Sequence, residues 1–207
     1  MLVELSVKDF LAKTAGNEPV PGGGSISALN AALSAALAEM VANLTIGKKK
    51  YEDKEDLMRD IQVKAAEFQN GFIKDIDDDS DAYNKVFAAF KLPKETDEEK
   101  AERSRQIQAA TKIAAEVPLK VARNAHAIMS LITIVAKEGN QNAVTDACVS
   151  MMTARNAVLG AILNVRINLT SIKDEVYVET FSNECDLLEQ DAVKKEKELL
   201  DWVKTQL

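Results

Sequence analysis

The chain has 207 residues, 46% of them hydrophobic, 29% charged and 5% aromatic, with a net charge of -7. That length builds one domain with a full core, and the acidic balance excludes a general nucleic-acid binder, which needs a basic field. Cys148 and Cys185 lie far apart without CxxC spacing, a usage that points to a reducing compartment and not to a disulfide frame.

Ala, Leu, Lys and Glu dominate and strand signals are thin, so an all-α fold is expected. The opening MLVELSVKDF sets acids within a short apolar run and does not read as a signal peptide, so a cytoplasmic location is expected. Ser6 with Asp9 makes a capping start for a short helix that Gly16 ends. The turn NEPVPGGG follows, and a second helix is predicted over 25–46. One side of it carries Leu29, Leu33, Leu37, Met40 and Leu44; the other is Ala28, Ala31, Ala32, Ala35, Ala38 and Ala42. Such a helix is expected to be covered on both faces, at the middle of a bundle or at a subunit interface, with the small face permitting close approach. It is long enough to test as a membrane span, but Asn30, Ser34, Glu39 and Asn43 recur along it, and no membrane role is expected.

After GKKKYED a long helix is predicted over 54–90, stopped near Leu92-Pro93. Thr96 with Glu99 caps the next. Val117-Pro118 is expected to bend or restart it before a stop at Gly139-Asn140. A long apolar helix over 144–172 and a charged amphipathic one over 175–204 complete the chain. No repeat or linker interrupts it, so residues 1–207 read as a single multihelical bundle around the buried small-residue helix.

Chemistry is sought first in the acidic run DIDDDSD, Asp75 to Asp81. Projected at 100° per residue, Ile61, Ala65, Phe68, Phe72, Ile76, Tyr83, Val86 and Phe90 form an apolar stripe with Asp79 in its middle. Asp77, Asp78 and Asp81 point the other way, toward water. A carboxylate among apolar neighbours is either an acid of raised pKa or a structural acid met by donors. Asp77-Asp78-x-x-Asp81 matches the magnesium motif of prenyl-diphosphate enzymes but lacks a second acidic cluster. An EF-hand fails because Ser80 replaces the required glycine. Zinc is disfavoured with one histidine, His126, which is expected to pack or cap. No metal site is therefore expected.

A second candidate is the helix over 144–172, where Asp146, Ser150, Thr153, Gly160, Asn164 and Asn168 share one side. They either bond neighbouring helices or floor a groove that reads a flat polar ligand. The glycine turn is no Walker A motif, since no Lys-Ser or Lys-Thr follows, and no nucleophile elbow, since Ser27 stands where a glycine is required. What remains is a loop that admits a ligand to the backbone at a helix N-terminus. Lys48, Lys49 and Lys50, at the other end of the same helix, suit acidic substrate groups or serve equally as countercharge to the helix dipole.

In order along the chain, PxPGGGS, AEMVANLTIGKKKY, DxDxDAY, LPKxTxEEK, GNxNxxTD and NVxINL resemble the cyclodeaminase/cyclohydrolase family of folate enzymes over nearly the whole length. The resemblance implies a helical homodimer that binds a tetrahydrofolate derivative, mono- or polyglutamylated, near the subunit interface, with no cofactor beyond that substrate. It implies conversion of 5-formimidoyltetrahydrofolate to 5,10-methenyltetrahydrofolate with loss of ammonia, or alternatively methenyltetrahydrofolate cyclohydrolysis; a non-catalytic folate-binding dimer is the third reading. Asp79 matches the family's catalytic aspartate. Pro21, Gly22, Gly23, Gly24 and Ser25 match its glycine loop. Asp77 matches the neighbour of Asp79 in the same motif and counts as substrate-binding, Asn140, Asp146, Asn164 and Asn168 match later motifs as pocket residues, and Lys48 to Lys50 are assigned to the substrate tail. Thr145 stands where relatives often have Ser. Any formiminotransferase acting with this chain would be a separate protein.

Overall fold

Ser6 accepts a hydrogen bond from the Asp9 amide and opens helix α1, Val7–Thr14. The fold is taken from a computed structural model, which describes residues 1–206. Five longer helices follow: α2, Gly23–Asn43; α3, Glu55–Phe90; α4, Asp97–Glu138; α5, Val144–Leu169; and α6, Glu175–Lys204. Among the described residues there is no strand, so the all-α expectation holds. Thr96 and Glu99 close a reciprocal capping box at α4, as their spacing requires.

The core is built on α2. Ala28, Ala31, Ala35, Ala38 and Ala42 have no exposed surface, and their small side chains let α3 and α5 pack close on either side. Gly160 of α5 lies so near that a Cβ there would meet Ser27 Oγ at 2.4 Å. The pairs Gly23 with Asn164, Ser27 with Gly160 and Ser34 with Ser150 run in opposite directions, so α2 and α5 are antiparallel. The opposite, leucine-bearing face of α2 is only partly covered by this chain: Leu29 packs beside the N-terminal segment, and Leu37 and Met40 are half-buried. Leu33 is 48% and Leu44 41% exposed, so a single chain does not bury both faces.

The helix limits differ in part from the sequence reading: α2 stops at Asn43 and not at 46, and α5 at Leu169 and not at 172. Helix α2 begins two residues earlier, so Gly23 and Gly24 form its first turn and Gly22 is its N-cap. Helix α4 runs unbroken through Pro118. A proline cannot donate to the carbonyl four residues back, here Ala114. That carbonyl instead accepts from Asn168 Nδ2 at 3.0 Å. The tertiary partner restores the lost bond, and the helix continues.

Candidate active site

The first turn of α2 has no side-chain cap of its own, so its leading amides lack the usual oxygen acceptor. Asp79, reaching across from α3, supplies one. Its Oδ2 lies 3.0 Å from Ser25 Oγ, and its carboxylate occupies the space beside Gly24. A Cβ on Gly24 would come within 1.9 Å of Asp79 Oδ1. Only glycine admits the carboxylate there, for reasons of space and not of φ. The two alternatives for Asp79 therefore coincide: it caps a helix from a distance, and it is a half-buried acid at a cavity. Burial holds its pKa above the ordinary carboxylate value, while the hydroxyl and amide of Ser25 oppose that rise.

Ser25 is fully buried and meets Asp79, the Ile76 carbonyl at 3.0 Å and Ser80 Oγ at 3.3 Å. Its hydroxyl has one proton, which can go to the carboxylate or to the carbonyl but not to both. Enclosed in this way it positions Asp79 and makes no wall for a ligand. This revises the expectation that it touches substrate.

A cavity of about 300 Å³ opens beside Asp79. Gly22, Gly23 and Gly24 form one side, Tyr83 and Val86 another, and Asn164 and Asn168 a third. The Asn164 amide nitrogen is donated to the Gly160 carbonyl at 2.8 Å, and that of Asn168 to the carbonyls of Ala114 and Asn164. Asn168 spends both of its N–H groups inside the protein and leaves its oxygen as an acceptor, while Asn164 keeps one N–H beside its oxygen on the wall. Such a wall suits a ligand edge rich in N–H groups. Pro19, Val20 and Ala114 also line the cavity, and the sequence reading did not single them out. Pro21 is buried beneath the turn and is not among the lining residues.

The remaining candidates lie elsewhere. Asp77 is half-buried and accepts from the Leu2 amide at 2.6 Å, so it does not face open water as projected. It anchors the N-terminal segment and does not line the cavity. Asn140 is buried: its amide nitrogen donates to the Leu44 carbonyl at 3.0 Å, and its backbone N–H donates to Thr45 Oγ1 at 2.8 Å. It latches the α4–α5 connection onto the end of α2. Asp146 sits in the first turn of α5, a position that favours an acid electrostatically. Lys48, Lys49 and Lys50 are exposed just past the C-terminus of α2. Asn140, Asp146 and the three lysines belong to the end of the bundle away from Gly23. The 21 residues of α2 put roughly 30 Å between the two ends at 1.5 Å per residue. The hollow beside the lysines, about 470 Å³, is shared with Glu52 and Glu55, and Glu55 already accepts from the Gly47 amide and Arg59. The larger volume is thus the less equipped for chemistry. His126 bonds Asp191 at 2.6 Å on α6, a packing contact as expected.

Sequence projection missed Asp75, one turn before Asp79. It is fully buried and paired with Lys120 of α4 at 2.6 Å, with its second oxygen unpartnered. The four-residue offset from Asp79 was the available signal.

Residues 6–187 match the formiminotransferase-cyclodeaminase family. The chain belongs to that family. Among relatives of this formiminotransferase-cyclodeaminase member, a methenyltetrahydrofolate cyclohydrolase of Methylorubrum extorquens is 37% identical over 202 residues, covering 98% of this chain and 97% of the relative. The formimidoyltransferase-cyclodeaminase of Gallus gallus is 34% identical over 85% of this chain, and the chain spans only 32% of that longer protein. A crystal structure of formiminotetrahydrofolate cyclodeaminase from Thermotoga maritima superposes with a TM-score of 0.85 at 29% identity, covering 98% of this chain and 99% of that one. The fold is therefore the family's throughout.

Proposed function

We propose that the chain is a folate one-carbon enzyme converting 5-formimidoyltetrahydrofolate to 5,10-methenyltetrahydrofolate and ammonia, with Asp79 as acid/base. The observation that carries this reading is a partly buried carboxylate of raised pKa, held by Ser25 at a glycine-walled cavity. Nitrogen 10 attacks the formimidoyl carbon on nitrogen 5 and becomes cationic. Asp79 takes the proton from nitrogen 10 and returns it to the amino group on the tetrahedral carbon. Ammonia then leaves and the bridged amidinium remains. A carboxylate of raised pKa can do both transfers. The oxygens of Asn164 and Asn168 suit the N–H edge of the pterin, and the uncapped glycine amides suit its carbonyl.

A second reading, methenyltetrahydrofolate cyclohydrolase, is favoured by the full-length likeness to the Methylorubrum extorquens enzyme. There water attacks the same carbon and Asp79 accepts its proton. Absorbance of methenyltetrahydrofolate separates the two: it appears from formimidoyltetrahydrofolate, or it decays enzymatically in water. An enzyme that does neither overturns both readings.

The working unit in this proposal is a homodimer. The leucine face of α2 continues onto α5, where Val149 is 45%, Met152 41%, Leu163 63% and Ile167 65% exposed. A contiguous apolar layer on one side of a bundle marks an interface, and a second copy covers both layers at once. A two-fold axis perpendicular to α2 sets the two copies of that helix antiparallel. Lys48 to Lys50 of one copy then approach the glycine turn of the other, where they take the carboxylates of the substrate tail.

A further inference from the structure

Beyond Asp79, α3 continues for another eleven residues to Phe90, about 16 Å at the helical rise. Helix α2 starts beside Asp79, and α5 ends near the start of that stretch, so the tip of the α3–α4 hairpin projects past both. Gln108 of α4 marks the edge, since it bonds the α5–α6 connection at Ser171 and Lys173. On this projecting arm the aromatic side chains stay in solvent. Tyr83 is 39% and Phe87 50% exposed. Their rings are nearly parallel, 14° apart with centroids at 6.3 Å, and Lys91 Nζ lies 4.1 Å from the Phe87 centroid. Tyr83 also lines the Asp79 cavity. The two rings add little to the core, yet they lie in register along one ridge that begins at the acid: residues 79, 83 and 87, four apart.

We infer that Tyr83, backed by Phe87, is an aryl shelf on which the p-aminobenzoyl ring of the folate stacks, fixing nitrogen 10 over Asp79. The inference rests on the folate reading above. The Asn164 and Asn168 oxygens already account for the pterin edge, which leaves the second ring of the substrate without a partner unless it lies on the shelf. An offset-stacked ring gains contact area and quadrupole complementarity that water cannot supply. Tyr83 and Phe87 are thus binding residues that set substrate orientation and take no part in proton transfer.

The test compares wild type, Tyr83→Ala, Tyr83→Phe and Phe87→Ala with two probes, tetrahydrofolate and a reduced pterin lacking the aryl group. Stacking interactions are lost on alanine substitution at a cost of about 1–3 kcal/mol, so Tyr83→Ala should weaken tetrahydrofolate binding roughly 5- to 150-fold. Its KM should rise and its kcat should fall as nitrogen 10 loses its placement over Asp79, and affinity for the bare pterin should stay at the wild-type value. Tyr83→Phe should restore the affinity, and Phe87→Ala should show a smaller loss in the same direction. If both alanine variants bind tetrahydrofolate like the wild type, or lose the bare pterin equally, there is no aryl shelf. If Phe87→Ala instead dissociates the dimer in light scattering, the ridge is a subunit contact and the inference falls. A wild-type protein that binds neither probe overturns the folate reading itself, and the shelf with it. Should Tyr83→Ala not fold, Phe87→Ala alone carries the test, because its half-exposed ring contributes little to the core.

Discussion

The side-chain amide of Asn168 donates to the carbonyl of Ala114 at 3.0 Å, the acceptor that Pro118 leaves without its helical donor. This one bond joins α5 to α4 at the cavity wall, and it makes Asn168 a structural residue as well as a wall residue. Asn168→Leu should lower stability by about 1–3 kcal/mol, since it leaves a carbonyl unmet next to a cavity. Combining it with Pro118→Ala should remove much of that loss, because the new N–H at 118 reaches the same carbonyl. Thermal or urea unfolding of the four proteins measures the coupling; strictly additive losses would refute it.

Asp79→Asn keeps the shape but cannot return a proton. Turnover should fall by about a hundredfold or more, with tetrahydrofolate binding retained. Asp81→Asn, on the exposed side of α3, should leave turnover near wild type.

The same substitution has a pH signature. Burial raises the pKa of Asp79 in the folded state, so the folded form holds its proton to higher pH than the unfolded chain. Stability from this group is therefore full below the unfolded value and is lost as pH climbs through the folded one. Asp79→Asn should stabilise the protein at neutral pH and give no advantage in acid. Melting temperatures across that range check the sign; a variant less stable than wild type at neutral pH would show that the capping bonds of the carboxylate outweigh its desolvation.

Gly24→Ala places a methyl group where the Asp79 carboxylate lies. The clash involves a rigid helix turn and a short side chain, so Asp79 must move. Activity should drop by at least tenfold, in line with the cost of misplacing a catalytic group. Because the backbone at 24 is helical, the fold should survive, as circular dichroism would report. Wild-type kinetics in this variant would remove the spatial argument for glycine.

For the dimer, Leu33→Glu with Leu163→Glu places charges in the exposed apolar layer of α2 and α5. Sedimentation should show a monomer where wild type is a dimer at micromolar concentration. A wild type already monomeric there would reject the proposed interface.

Subunit mixing tests the lysines. Asp79→Asn protein and a Lys48/Lys49/Lys50→Ala protein, each impaired on polyglutamylated substrate at low concentration, should regain about a quarter of wild-type activity when reassorted, because each mixed dimer rebuilds one intact site. Activity no greater than the average of the two parents would confine each site to one subunit.

Local chemistry wrote much of this protein into its sequence. Ser6, Thr96 and the Gly139 stop placed helix ends, because caps act within one turn. The period of apolar residues in α3 placed Asp79 on the buried side, because helical phase is a property of spacing alone. That Lys48 to Lys50 lie a helix length from the glycine turn was legible, but which end of α5 meets that turn was not, since a linear motif order does not give the pairing of an antiparallel helix pair. Only tertiary packing showed that Ser25 serves Asp79, that Asp77 holds the Leu2 amide, and that Asn168 repairs the break at Pro118. Those bonds span about fifty to seventy-five residues, and no local propensity encodes them. Likewise the pattern of α2 calls for cover on both faces without saying from where, and only the packing of this chain shows Leu33 and Leu44 left exposed on the leucine face.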